Sequence, residues 1–214
     1  MHVLMIASQK GGSGKTTLAR NLAVAAPVRC AVADTDPQGS LTDWWNRRQA
    51  ENPILVSLGD DPGATIPAIA AAGVELLIVD TPPRAHAWME RLLGHADMVL
   101  VPVRPSPDDL AAVGSTLDLI GGAGRPFAFV VNAAKAGTRL TRETPPELEK
   151  VGAVAPVMIH DRQEYPTAAS LGRGVTESVG PGALEMTQLL HYVMAEMRKA
   201  RGDAMTPVPQ AVSA

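Results

Sequence analysis

The stretch QKGGSGKTTLARN, residues 9–21, leaves this chain few folds to choose from. An apolar run, HVLMIA (2–7), leads into it, and the pattern TTLARNLAVAA (16–26) leads out. Strand, glycine-rich loop and helix are therefore expected in direct succession. Glycines let consecutive backbone N–H groups curl around an anion, and the helix that follows turns its positive end to the same point. In such a loop Lys15 reaches the β and γ phosphates of a nucleotide, and the Thr16 hydroxyl is placed to ligate Mg²⁺. One position departs from the ordinary Gly-x-x-x-x-Gly-Lys-Thr pattern. Gln9 stands where the leading glycine belongs, and a second lysine, Lys10, follows it.

The remainder of the chain repeats the alternation. Apolar runs at 28–34, 54–58, 74–80, 97–103, 126–132 and 154–159 read as strands. Helices are expected at 40–51, 62–72, 86–93, 107–120, 143–151, 163–171 and 182–201. Continuously apolar strands separated by helices predict an α/β fold, a mostly parallel sheet with helices on both faces. At 214 residues and 46% apolar content, one domain over 1–201 is expected, with 202–214 as a disordered tail. The five histidines show no metal-ligand spacing. Cys30 is the only cysteine and lies in an apolar run, which reads as a buried thiol in a reducing compartment. With neither a signal-like start nor an 18-residue apolar run, a cytoplasmic protein is expected. The net charge of −3 does not advertise nucleic-acid binding, so any such site must be a local patch.

Three acids stand at expected strand ends. Asp80 closes VELLIVD (74–80), and Asp34 and Asp36 lie in DTDPQGS (34–40). Ligands of such sheets bind beyond the carboxyl ends of the strands, so the three are candidates for one site. Asp80 would hold the metal directly or through water. Capping of the helix after Pro37 is the competing role for Asp34 or Asp36.

Taken with KGGSGKTT, the segments DTDPQGSLTDWW, LLIVDTPP, VPVRPSPDDLAA and HDRQEY give a chain that resembles the ParA/MinD family of deviant phosphate-loop ATPases. Its size and details look most like the short ParF-like partition branch. The resemblance implies ATP and Mg²⁺ as cofactors, weak ATP hydrolysis and an ATP-dependent homodimer. Lys10 would be the family's signature lysine, reaching the phosphates in the partner's site; service to its own loop is the competing reading. Gly11, Gly12, Ser13, Gly14, Lys15, Thr16 and Thr17 would form the phosphate loop, with Thr17 on the α phosphate. Asp36 would position the attacking water, so Lys10, Lys15 and Asp36 are the implied catalytic set. Thr16, Asp34 and Asp80 would serve the metal. Asn132, Arg162 and Gln163 would lie at the adenine, although an arginine there could equally be a surface residue at a helix start. VPVRPSP (101–107) resembles the branch's proline-rich motif, near the nucleotide and the self-association surface.

The resemblance further implies non-specific DNA binding in the ATP state, a nucleoid-associated location, and a small adaptor or centromere-binding protein that stimulates hydrolysis. Arg173, Arg198, Lys199 and Arg201 are the candidate DNA contacts, with Lys135, Arg139 and Arg142 behind them. Segregation of plasmid or chromosomal DNA is the leading expectation. Positioning of a protein cargo, such as a chemoreceptor cluster or microcompartment, and a non-catalytic nucleotide clamp are the alternatives. A metal-cluster scaffold would need cysteines at the dimer seam, and Cys30 lies inside an expected strand. The final helix carries Leu184, Leu189, Leu190, Val193, Met194 and Met197, which are expected to pack on the sheet and not to bind a membrane.

Overall fold

The computed structural model describes residues 1–83 and 87–202. Six parallel strands form one sheet: β1 (His2–Ile6), β2 (Cys30–Asp34), β3 (Ile54–Leu55), β4 (Leu76–Asp80), β5 (Met98–Val103) and β6 (Phe127–Val131). Their order across the sheet is β3-β2-β4-β1-β5-β6. Side chains alternate between the two faces, as the period of a strand requires. Leu4, Ile6, Leu76 and Ile78 join one core cluster, whereas Val3, Met5, Leu77 and Val79 join the other. The expected parallel sheet covered on both faces is what forms.

Helices close both faces. On the first lie α1 (Lys15–Ala25), α2 (Ser40–Arg47), α8 (Glu164–Ser170) and α9 (Pro181–Arg201); on the second lie α3 (Pro62–Ala71), α4 (Ala87–Leu93), α5 (Pro107–Ala111), α6 (Val113–Gly121) and α7 (Arg139–Glu149). Helix α9 buries Met186, Leu189, Leu190, Val193, Met194 and Met197. Leu184, expected with that set, is exposed. No described helix is long and apolar enough to cross a membrane.

Several expected elements differ, among them the helix expected over 40–51, which ends at Arg47, and the strand expected over 54–58, which shortens to Ile54–Leu55. The run 154–159 makes isolated bridges, Phe129 with Val154 and Ala134 with His160, and no strand. Pro156 has no N–H to donate, so the ladder beside β6 is interrupted at its middle. The helix expected over 107–120 breaks at Ala112 (ψ −5°), whose N–H is shared among the carbonyls of Asp108, Asp109 and Leu110. Helix α7 begins four residues before expectation because the Thr138 side chain accepts from the Thr141 N–H and caps it. His86, expected in α4, and residues 203–214 of the expected tail lie outside the described residues.

Topology places the site. The chain steps from β1 to β2 on one side of the sheet, and later from β4 to β5 on the other side of β1. The crevice at such a reversal, beyond the carboxyl ends of the strands, is where this class of sheet binds ligands. The loop after β1 opens into it.

Candidate nucleotide site

The loop between β1 and α1 is held in one shape from several sides. Gly12 (φ 73°) and Gly14 (φ 98°) take left-handed conformations that a side chain disfavours. At Gly14 there is also no room: a Cβ would collide with the Asn132 amide. That amide donates to the Ser13 carbonyl at 2.7 Å. Arg104 Nη1 donates to the Gly12 carbonyl at 3.1 Å. Gln9 ties the loop's start to α6, its N–H donating to Thr116 Oγ1 at 3.1 Å and its Nε2 to the Ser115 carbonyl at 3.2 Å. The residue that displaced the usual glycine is thus an anchor to a neighbouring helix.

The cation and the acids converge behind this loop. Lys15 is the first residue of α1 and is 7% exposed. Burial lowers its pKa, and the charges of Asp80 and Asp36 oppose that. Strand register sets Asp80 opposite both Ile6 of β1 and Asp34 of β2. Thr16 Oγ1 donates to Asp80 Oδ2 at 2.5 Å. Asp80 is only 1% exposed, and its Oδ1 is buried without a hydrogen-bond partner. Burial pushes its pKa up to about 7, with the Thr16 hydrogen bond and Lys15 acting against burial and the neighbouring Asp34 and Asp36 adding to it. A carboxylate that is buried, half-satisfied and beside a threonine hydroxyl is in want of a cation.

This donor set fits Mg²⁺. Among the described residues no group of three or more His, Cys, Asp or Glu side chains could hold a metal. Mg²⁺ does not need one, since it keeps several waters and is held by one or two carboxylates together with substrate phosphates. Asp34 accepts the Asp36 N–H on Oδ1 at 3.2 Å and the Thr42 N–H on Oδ2 at 2.8 Å. Asp36 accepts the Gln38 N–H at 3.0 Å. Both acids therefore shape the turn after β2 while facing Asp80. Thr35 completes the junction by donating its N–H and Oγ1 to the Asp80 carbonyl, at 3.0 and 2.8 Å.

Two cavities flank the loop, with Arg104 lining both. The smaller, about 250 Å³, is bounded by Gly12, Gly14, Thr17, Asn132 and Arg162. The larger, about 620 Å³, is lined by Lys10, Ser106, Asp108, Lys135 and Asp161. Asn132 and Arg162 therefore meet beside the phosphate loop, whereas Gln163 lines a separate groove with Leu171 and Val179. Arg162 is held by Glu185 of α9, which accepts its Nε and Nη2 at 3.0 and 2.7 Å. Glu185 also accepts the His160 N–H and the Tyr165 hydroxyl, each at 3.2 Å, and so fixes the 160–165 loop as a unit. Lys10 lines the larger cavity and Thr17 the smaller, and Lys10 forms no ion pair among the described residues.

Of the candidate DNA contacts, Arg198 and Arg173 form no ion pair among the described residues, whereas the other two are paired. Arg201 is bound by Asp97 at 2.7 and 2.8 Å, and Lys199 by Glu196 at 2.6 Å. Arg173 is exposed and belongs to the turn whose carbonyl receives the Trp44 indole N–H. Sequence reading missed Arg104 and Glu185. Arg104 was visible inside VPVRPSP, where the prolines drew the attention. Glu185 was hidden in an amphipathic helix, and only packing shows that it points inward.

The family model described as the CobQ/CobB/MinD/ParA nucleotide binding domain matches residues 4–202. The maintenance of carboxysome distribution protein A of Halothiobacillus neapolitanus is 31% identical over 207 residues, covering 89% of this chain and 95% of that protein. Its namesake in Gloeobacter kilaueensis is 36% identical over 118 residues, covering 54% and 55%. Protein ParA of Rhizobium radiobacter is 32% identical over 125 residues, covering 56% of each. Among solved structures, the Aquifex aeolicus MinC:MinD complex aligns with a TM-score of 0.77 at 16% identity, over 98% of this chain and 99% of that one. Apo McdA from Cyanothece aligns at 0.71 and 18%, over 91% and 99%.

Proposed function

We propose, given that the chain belongs to the CobQ/CobB/MinD/ParA nucleotide-binding family, that it is an ATP hydrolase whose dimerisation is switched by nucleotide and which positions a large protein assembly. The observation that carries the nucleotide reading is Asp80: buried, hydrogen-bonded to Thr16 on one oxygen and unsatisfied on the other, 64 residues from Thr16 in sequence. Such an arrangement is costly unless a cation and phosphate complete it.

In this reading Lys15 and the loop amides bind the β and γ phosphates. Thr16 and Asp80 would hold Mg²⁺, with Asp34 beside them as a further acid of the site. The ion, when bound, neutralises charge on the phosphates and orients them. Asp36 orients the attacking water and takes its proton. Asn132 and Arg162 border the adenine end of the small cavity, and Gln163 is placed outside it. Lys10, lining the outer cavity without an ion pair, is available to a second copy's phosphates. ATP then acts as shared counter-charge at a two-fold interface and hydrolysis removes it. The ATP-bound dimer binds DNA non-specifically as a track, and a small adaptor on the cargo stimulates hydrolysis.

Protein cargo is favoured over DNA cargo by the curated relatives. Two relatives align over nearly their full length, and the carboxysome distribution protein, at 31% identity, is more similar than the chromosome-partitioning ATPase Soj of Thermus thermophilus, at 26%. Removing the gene is expected to scatter or cluster a protein assembly while plasmid inheritance stays unchanged, read by imaging of the assembly and plating for plasmid loss. Plasmid loss with the assembly in place would return the DNA-segregation reading. In vitro, retention on immobilised DNA is expected with ATP and not with ADP. Equal retention in both states would sink the proposed cycle.

A further inference from the structure

Among the described residues, Arg20 is a cation without a counterion. It lies on α1, four residues after Thr16 and three after Thr17, and so shares the helix face that borders the site. Its Nη2 makes only a long contact, 3.4 Å, to Thr17 Oγ1. Its Nε is buried and has no acceptor, and among the described residues no carboxylate pairs with it. Burial, reinforced by the like charge of Arg47, lowers its pKa to about 10, with Asp80 acting the other way. A guanidinium held in this way destabilises the empty protein unless an anion arrives.

The surroundings say which anion. Arg20 lines the small cavity together with Gly12, Gly14 and Thr17. The other arginines of that cavity are already engaged, Arg104 by the Gly12 carbonyl and Arg162 by Glu185. Thr16 faces Asp80, the metal end and hence the terminal phosphates. Thr17 and Arg20 face the end that Asn132 and the 160–165 loop close, where the nucleoside belongs. We propose that Arg20 is a phosphate ligand that takes the phosphate nearest the nucleoside, a group shared by ATP and ADP. This rests on the nucleotide reading above. It adds to Lys15 a second cation that does not sense the γ phosphate, so it supports retention of both nucleotide states.

Titration calorimetry of ATP and ADP with Mg²⁺, on the wild type, Arg20→Gln, Arg20→Lys and Lys15→Ala, tests it. Arg20→Gln is expected to weaken ATP and ADP alike by about 10- to 100-fold, the range of a charge-assisted hydrogen bond. Arg20→Lys is expected to fall between that variant and the wild type, because it keeps the charge but not the planar fork. The unliganded Arg20→Gln protein is expected to melt no lower than the wild type, since an uncompensated cation is removed. Unchanged affinity in Arg20→Gln, a loss confined to ATP, or a lowered unliganded melting temperature would each overturn the assignment. Inorganic phosphate at millimolar concentration is expected to leave the unliganded melting temperature unmoved. A rise that Arg20→Gln abolishes would make this a free-phosphate site and overturn the nucleotide assignment. Nucleotide binding undiminished in Lys15→Ala, or absent from the wild type, would instead remove the nucleotide reading itself.

Discussion

Lys15→Ala is expected to bind ATP about 100-fold more weakly or worse, as truncation of one partner in a buried charged contact does. The wild-type lysine is buried at the first turn of α1, between the loop amides and the acids. Its ammonium lowers the Asp80 pKa, which burial pushes up to about 7. Without Lys15 that value rises further. The shift favours the protonated carboxyl, a poorer metal ligand, so affinity for Mg²⁺ is expected to fall together with affinity for phosphate. Calorimetry with ATP, with and without Mg²⁺, separates these effects. The variant is expected to lose the Mg²⁺ enhancement that the wild type shows. ATP affinity within threefold of wild type would contradict the assignment of the loop.

Asp36→Ala is expected to act on a different step. Its carboxylate accepts the Gln38 N–H, and its own N–H donates to Asp34. The substitution removes one turn hydrogen bond, worth about 1 kcal/mol, and no core contact. Nucleotide affinity should therefore survive. Steady-state hydrolysis should drop by about 10²- to 10⁴-fold, the usual contribution of a positioned general base. The variant is expected to accumulate in the ATP-bound dimer. A non-catalytic clamp would show the same slow turnover for wild type and variant, so the ratio of the two rates discriminates the readings.

The sheet was legible because its strands are almost continuously apolar, as both-face burial demands, with polar residues confined to His2, Asp34 and Asp80 at strand ends, and because glycine and proline punctuate them. The phosphate loop was legible because only Gly12 and Gly14 can hold its left-handed turns, and because lysine and threonine must follow at fixed spacing. Pro156 was equally visible, yet the apolar run around it outweighed its missing donor. What sequence could not give is partnership across space. Asp80 and Thr16 meet through strand register, Glu185 and Arg162 through helix packing, and Gln163 separates from Arg162 because successive residues on that turn face different grooves. The basic run at the end of α9 looked free in sequence, and Asp97, far from it in the chain, takes up Arg201.

The central claim is that nucleotide decides whether two copies share a site, and mass in solution reads this directly. In sedimentation velocity with Mg²⁺, Asp36→Ala is expected to run at the chain mass with ADP and at twice that mass with ATP. Lys10→Ala is expected to stay at the chain mass with ATP while still binding it. A single mass in both nucleotides, or an ATP dimer that forms equally well without the Lys10 side chain, would contradict the account.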